Sequence, residues 1–356
     1  MMKAVRKMKR ERGAELVQVP VPTIKPHEVL VKVRATSICG TDVSIYDWNA
    51  WAENRIRNVP QTMGHEFAGD VVETGSAVRR IKVGDYISAE THIPCFNCPP
   101  CLNRQFHICS NLVILGVDGD GCFAEYAAIP EDVCWVNEKS IPPEFACVQE
   151  PLGNATYTVC VEPVVGKSVI IFGDGPTGLF ATGVARVAGA SLVATIGRHN
   201  FRLDIAKKMG ADLALNEKEL GLDGVEKAIR DALSAKFYDG KYGADVVLDM
   251  VGTEEGIALG LKLVRKGGRF SAFGVAKKLQ IPFDYNNGIV FKGVDIRGIN
   301  GRIMYDTWYT VKNLLASGRL NIEPVVTHKL PLDEFEKGFA LMMDRPKVSG
   351  KVVFML

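Results

Sequence analysis

Ser168-Val169-Ile170-Ile171-Phe172-Gly173-Asp174-Gly175-Pro176-Thr177-Gly178 decides how the second half of this 356-residue chain folds. The first five residues read as a short buried strand, and they run straight into G-x-G-x-x-G and a helical apolar stretch. In that setting each glycine has a task. Gly173 permits the tight turn, Gly175 lets backbone approach a diphosphate, and Gly178 lets the following helix pack closely on the strand. The anion is then expected at the helix N-terminus, beside Pro176 and Thr177. A plain glycine-rich turn would not be followed by further strand and helix pairs. Here Leu192 to Ile196 reads as a strand, Asn200 to Met209 as a helix and Ala244 to Asp249 as a strand. That rhythm predicts a doubly wound parallel sheet, a Rossmann domain assigned to residues 153–297.

Upstream the grammar differs. Glu28 to Ser37 alternates apolar and polar residues with period two, and shorter strand-like runs follow at Phe67 to Glu73, Asp85 to Ala89 and Phe123 to Ile129. Residues 1–152 therefore read as an irregular β-rich domain. Residues 298–356 are expected to return to it through a strand at Gly350 to Phe354, giving an α/β chain of two domains. Lys and Arg total 43 against 41 Asp and Glu, which gives no reason to expect a nucleic-acid or anionic-membrane partner. The basic N-terminus lacks the apolar core of a signal peptide, and no run is long and apolar enough to span a bilayer. With nine cysteines and no pairing logic outside one cluster, a reducing, cytoplasmic setting is expected.

That cluster is Cys95, Cys98, Cys101 and Cys109, a C-x2-C-x2-C-x7-C ladder. Four thiolates on short loops satisfy tetrahedral Zn²⁺ with no open position, which predicts a structural lobe; disulfides, unrelated buried thiols or an iron–sulfur cluster are the alternatives. A second constellation is scattered: Cys39 in Cys-Gly-Thr-Asp, His65 in Gly-His-Glu, and Glu150 in Glu-Pro-Leu. Thiolate, imidazole and carboxylate together suit a zinc with one position open for chemistry. Taken singly, each is equally a buried thiol, a satisfied histidine and a surface carboxylate.

Gly64-His65-Glu66-x2-Gly69-x5-Gly75-x2-Val78, the cysteine ladder, the Cys39-Gly40-Thr41-Asp42 turn and the glycine loop together resemble the zinc-containing medium-chain alcohol dehydrogenase family, in order and over the whole chain. Within it, Ile45 to Ala52, Ala89 to His92, Gln149 to Ala155 and Asp306 to Thr310 resemble the threonine dehydrogenases. The resemblance implies a GroES-like catalytic domain beside the Rossmann domain. It implies a catalytic Zn²⁺ on Cys39, His65 and Glu150, with Glu66 able to enter, and a structural Zn²⁺ on the ladder. It implies hydride transfer from a secondary alcohol to a nicotinamide cofactor, with Thr41 opening the proton relay and His92 lining the substrate pocket. A homotetramer is implied too, with Gly293 to Gly298 as a candidate interface strand.

Departures from the family pattern shape the remaining expectations. Ser44 stands where threonine dehydrogenases carry histidine, and Asn300 where they carry threonine. A polyol, sugar or sugar-acid substrate is therefore the alternative to threonine, and a nicotinamide-binding protein that has lost catalysis is the alternative to an enzyme. Arg302 is a candidate for a substrate carboxylate or for a salt bridge. At the end of the second strand, Gly197 replaces the acidic residue that repels a 2′-phosphate, and Arg198 follows it. With Arg202 nearby, this predicts NADP as the preferred cofactor and NAD as a weaker second. Gly197→Glu with Arg198→Pro is then expected to reverse the order.

Overall fold

In the computed structural model, which describes residues 1–237, 240–276, 278 and 280–356, the chain divides into two compact units. The first unit comprises residues 1–151, 303–317 and 326–356, and the second comprises residues 152–302 and 318–325.

The first unit is built on a seven-stranded mixed sheet whose centre is Glu28–Ser37. This strand pairs antiparallel with Glu66–Thr74, Tyr126–Pro130 and Lys351–Met355. Its alternation of apolar and polar residues buries Val29, Val31 and Val33 in a core shared with Phe67, Phe123, Phe339 and Phe354. The register sets Ser37 opposite Glu66 on one side and Val353 on the other. The C-terminal strand, expected over 350–354, runs Lys351–Met355 and pairs parallel with Val326–Pro331. The run expected at 123–129 forms a strand from Tyr126 to Pro130. Phe123 instead exchanges backbone hydrogen bonds with Val5 and Met63, leaving the regular ladder.

The second unit is a six-stranded parallel sheet in the order Leu213–Asn216, Leu192–Gly197, Ser168–Phe172, Ala244–Asp249, Val264–Ala272 and Asp295–Gly298. Numbered along the chain this is 3-2-1-4-5-6, the doubly wound order whose ligands bind beyond the carboxyl ends of the strands, where the order reverses. Every residue of Ser168–Phe172 is buried, as befits a strand covered on both faces. Helix Glu217–Lys236 has no counterpart in the sequence reading. Gly221 at φ 68° breaks its backbone regularity and obscures its period. Among the described residues, no helix is long and apolar enough to cross a membrane.

Candidate active site

Cys39 leaves the end of the central strand and caps helix Gly40–Asp47, so its sulfur stands at the helix N-terminus. The cap is reciprocal with Asp42, whose Oδ2 accepts the Cys39 N–H at 2.9 Å. The other Asp42 oxygen faces His65 Nδ1 at 3.4 Å, with both side chains buried. His65 is aimed by Gly64, which holds φ +88° against the Phe123 ring; a Cβ there would meet Phe123 Cδ1 at 2.1 Å. A carboxylate behind one imidazole nitrogen attracts the ring electrostatically and leaves the other nitrogen for a metal. Burial disfavours the His65 cation, but the charges of Asp42 and Cys39 outweigh it and raise its pKa well above the ordinary value.

Glu66 opens the neighbouring strand and is fully buried. One of its oxygens accepts from both Ser37 Oγ and Lys351 Nζ, and Lys351 also donates to the Ile38 carbonyl at 2.9 Å. Burial raises the Glu66 pKa, with Lys351 pulling the other way. Burial also works against the Lys351 ammonium, yet the Glu66 carboxylate prevails and raises its pKa. The other oxygen, Oε1, is buried without a hydrogen-bond partner, a costly state for a carboxylate unless a cation takes it. One ligand atom each from Cys39, His65 and Glu66 lies within 4.8 Å of the others, a sulfur, nitrogen and oxygen set that fits Zn²⁺.

Glu150 does not share that radius. It accepts from Thr91 Oγ1 at 3.2 Å and is near enough to raise the Glu66 pKa. Sequence reasoning placed Glu150 among the main ligands and Glu66 in reserve; the geometry groups Glu66 with Cys39 and His65. Thr41 lies in the first turn of helix Gly40–Asp47, half-buried. His92 is half-buried in strand His92–Ile93. It is positioned by buried Glu90, whose Oε1 accepts the His92 N–H at 2.9 Å and whose Oε2 accepts from Trp308 Nε1 at 3.0 Å. Asp42, Lys351, Ser37 and Glu90 were not singled out from sequence. Asp42 and Glu90 lie inside the 39–42 and 89–92 motifs, whereas Ser37 and Lys351 are marked only by polarity at the ends of apolar strands.

In the ladder, Cys98 and Cys101 sulfurs are 3.5 Å apart, Cys98 and Cys109 3.7 Å, and Cys95 and Cys109 3.5 Å. Edges of a tetrahedron with Zn–S bonds near 2.3 Å measure about 3.8 Å, whereas a disulfide closes to about 2.05 Å. All four are free thiols. Despite desolvation, hydrogen bonds from the backbone of Cys101 and Ser110 lower the Cys98 pKa to about 6, whereas burial and the neighbouring Cys98 push Cys101 up to about 12, so without a cation the four thiols share their protons unevenly.

In the second unit, Gly173 adopts φ +126°, and a Cβ on Gly178 would meet the Gly173 carbonyl at 2.1 Å. The space beside Gly175 is open, and helix Pro176–Val187 starts there with no side-chain cap. Uncapped N–H groups facing open space fit a diphosphate. Pro176 and Thr177 occupy the first turn of that helix. Gly197 ends its strand, Arg198 is exposed with its Nε held by Glu217, and Arg202 is buried in helix Asn200–Lys208. Arg302, a sequence candidate for a substrate carboxylate, is fully buried and donates to Asn154 Oδ1 at 2.8 Å, so a solute does not reach it in this structure.

Residues 25–139 match the alcohol dehydrogenase GroES-like domain, and residues 176–317 match the zinc-binding dehydrogenase domain. An L-threonine 3-dehydrogenase of Pyrococcus furiosus is 49% identical over 356 residues, covering 100% of this chain and 99% of the relative. The chain belongs to the zinc-binding medium-chain alcohol dehydrogenase family. As a member of it, the protein is an oxidoreductase. Among solved dehydrogenases of this fold, a zinc-binding dehydrogenase target from Sinorhizobium meliloti 1021 bound to NADP superposes with TM-score 0.89 at 28% identity, covering 100% and 99% of the two chains. The 2R,3R-butanediol dehydrogenase of Bacillus subtilis superposes at 0.88 and 25%, covering 100% of each.

Proposed function

We propose that this dehydrogenase oxidises the secondary alcohol of L-threonine to 2-amino-3-oxobutanoate, with NADP as the preferred acceptor and NAD as a weaker one. The observation that carries the reading is 49% identity to a threonine dehydrogenase over the full length of this chain, together with the grouped Cys39, His65 and Glu66 side chains. Bound zinc would act as a Lewis acid lowering the pKa of the substrate hydroxyl, and a bound nicotinamide would accept the hydride from the carbon that carries that hydroxyl. Cys39, His65 and Glu66 would hold the metal, with Glu150 beside them and Asp42 orienting His65. Lys351 and Ser37 fix Glu66 so that its second oxygen stays turned to the cation. Thr41 receives the hydroxyl proton and passes it towards solvent through water or ribose hydroxyls, because Ser44 does not act as a base at neutral pH. Glu90 holds His92 against the substrate. The ladder would hold the second, structural zinc.

Gly173, Gly175, Pro176, Thr177 and Gly178 hold the diphosphate, while Gly197 and Arg198 favour a 2′-phosphate; the NADP-bound relative supports this choice. A homotetramer, with exposed edge strand Asp295–Gly298 at an interface, completes the proposal.

Ser44 and Asn300, together with the butanediol dehydrogenase likeness, favour a diol, polyol or sugar acid as the second reading. A reduction assay over L-threonine, L-serine, 2,3-butanediol, glucose and sugar acids tests both. L-Threonine is expected to give the highest kcat/KM by at least tenfold, and a higher value with any polyol overturns the assignment.

A further inference from the structure

In this fold an acidic side chain at the end of the second parallel strand reads the ribose hydroxyls of adenosine. Here Gly197 occupies that position, and the space its side chain would take is filled from elsewhere. A Cβ on Gly197 would lie 2.4 Å from Asp174 Cβ and 2.6 Å from both Asp174 Cγ and Oδ2. These separations lie far inside van der Waals contact. Asp174 comes from the glycine loop, is 7% exposed, and is held in place by three donors on one oxygen. The Arg198 N–H and the His199 N–H donate to Oδ2 at 2.8 Å each, and His199 Nδ1 stands 2.9 Å from it. Because a carboxylate only accepts, Nδ1 carries the proton.

The carboxylate is thus spent on the turn that follows the second strand. An anion aimed outward at position 197 would repel a 2′-phosphate; an anion turned back into the turn orders the two residues that flank the phosphate position. Arg198 is exposed, and Glu217 takes its Nε. Among the described residues, the two terminal guanidinium nitrogens have no hydrogen-bond partner.

We propose that Asp174 and Gly197 act as one cofactor-selecting unit. Asp174 bars any side chain at 197 and pins the Arg198–His199 backbone so that the site takes an adenosine 2′-phosphate. The proposal rests on the NADP reading, and it predicts that Gly197→Glu with Arg198→Pro reverses the preference only when Asp174 is also replaced. With Asp174 in place, position 197 has no room for glutamate. Asp174 is a positioning residue, and a loss of overall stability would not change the ratio of two ligand affinities.

The test is calorimetric binding of adenosine 2′,5′-bisphosphate and 5′-AMP to the zinc-loaded protein. The unaltered protein is expected to bind the bisphosphate at least tenfold more tightly, since one charge-assisted phosphate contact is worth about ten- to a hundredfold. Asp174→Ala should cut that ratio at least fivefold while leaving 5′-AMP binding within threefold. Gly197→Ala should weaken both ligands at least tenfold, and adding Asp174→Gly, which removes the Cβ 2.4 Å away along with the carboxylate, should restore 5′-AMP binding. Gly197→Ala binding like the unaltered protein, or an Asp174→Ala ratio unchanged, overturns the proposal. If Gly197→Ala does not fold, recovery of folded protein in the double variant supports the unit and continued failure overturns it. A wild-type preference for 5′-AMP instead sinks the NADP reading; the steric coupling is still read from the 5′-AMP cycle.

Discussion

At the residue scale, Lys351 and Glu66 define the electrostatics around the candidate zinc. Both side chains are at most 2% exposed, so each charge depends on the other. Removing one partner of such a pair costs about 3–5 kcal/mol, because it leaves a buried charge uncompensated. Lys351→Met should therefore lower stability by about that amount, read from the urea midpoint with the catalytic zinc removed. Adding Glu66→Gln should recover more than half of the loss, and additive losses would show that the pair is not coupled. None of this was legible in the sequence. Lys351 opens an apolar strand 285 residues beyond Glu66, and only the pairing of both strands with Glu28–Ser37 brings them together. Gly64 is the opposite case. Its place in Gly-His-Glu was legible, while the Phe123 ring that forbids a side chain there was not.

At the element scale, the cysteine lobe is a short loop with little regular structure, one turn at Pro99–Leu102 and another at Phe106–Ile108. Such a segment buries too little apolar surface to order itself, so a metal cross-link must hold it. Tying a loop of about fifteen residues is worth roughly 3 kcal/mol by chain entropy. Cys98→Ser should release one zinc per chain, lower stability by about that amount and open the lobe to proteolysis. Metal analysis with limited digestion checks it, and an intact, undigested lobe with both metals retained would refute the structural role. The ladder was readable because its ligands are close in sequence. Helix Glu217–Lys236 was not readable, because Gly221 and Gly224 break the pattern that marks a helix.

On the scale of the whole molecule, two metals with separate tasks should be separable by substitution. The purified chain should carry close to two zinc ions. His65→Ala should lose one, together with at least a hundredfold in kcat, while the ladder keeps its zinc. Loss of metal without loss of turnover would remove the catalytic assignment from Cys39, His65 and Glu66. Glu150 is the informative comparison: Glu150→Gln should retain the metal more firmly than Glu66→Gln does, by equilibrium competition with a chelator.

By itself the sequence determined what depends on neighbours along the chain. Strand Ser168–Phe172 and its glycine loop follow from local apolar runs and backbone freedom, and the ladder follows from ligand spacing. Strand alternation from Glu28 to Ser37 likewise follows from a period of two. What only the tertiary structure decided depends on groups far apart in sequence meeting in a low-dielectric interior. Register across three strands joins Ser37, Glu66 and Lys351, and this leaves one Glu66 oxygen for a cation. The turn after the second strand places Asp174 where Gly197 would carry a side chain. Side-chain burial withdraws Arg302 from solvent. Each outcome is set by packing and by the cost of an unpaired buried charge, and neither is written in the spacing of residues along the chain.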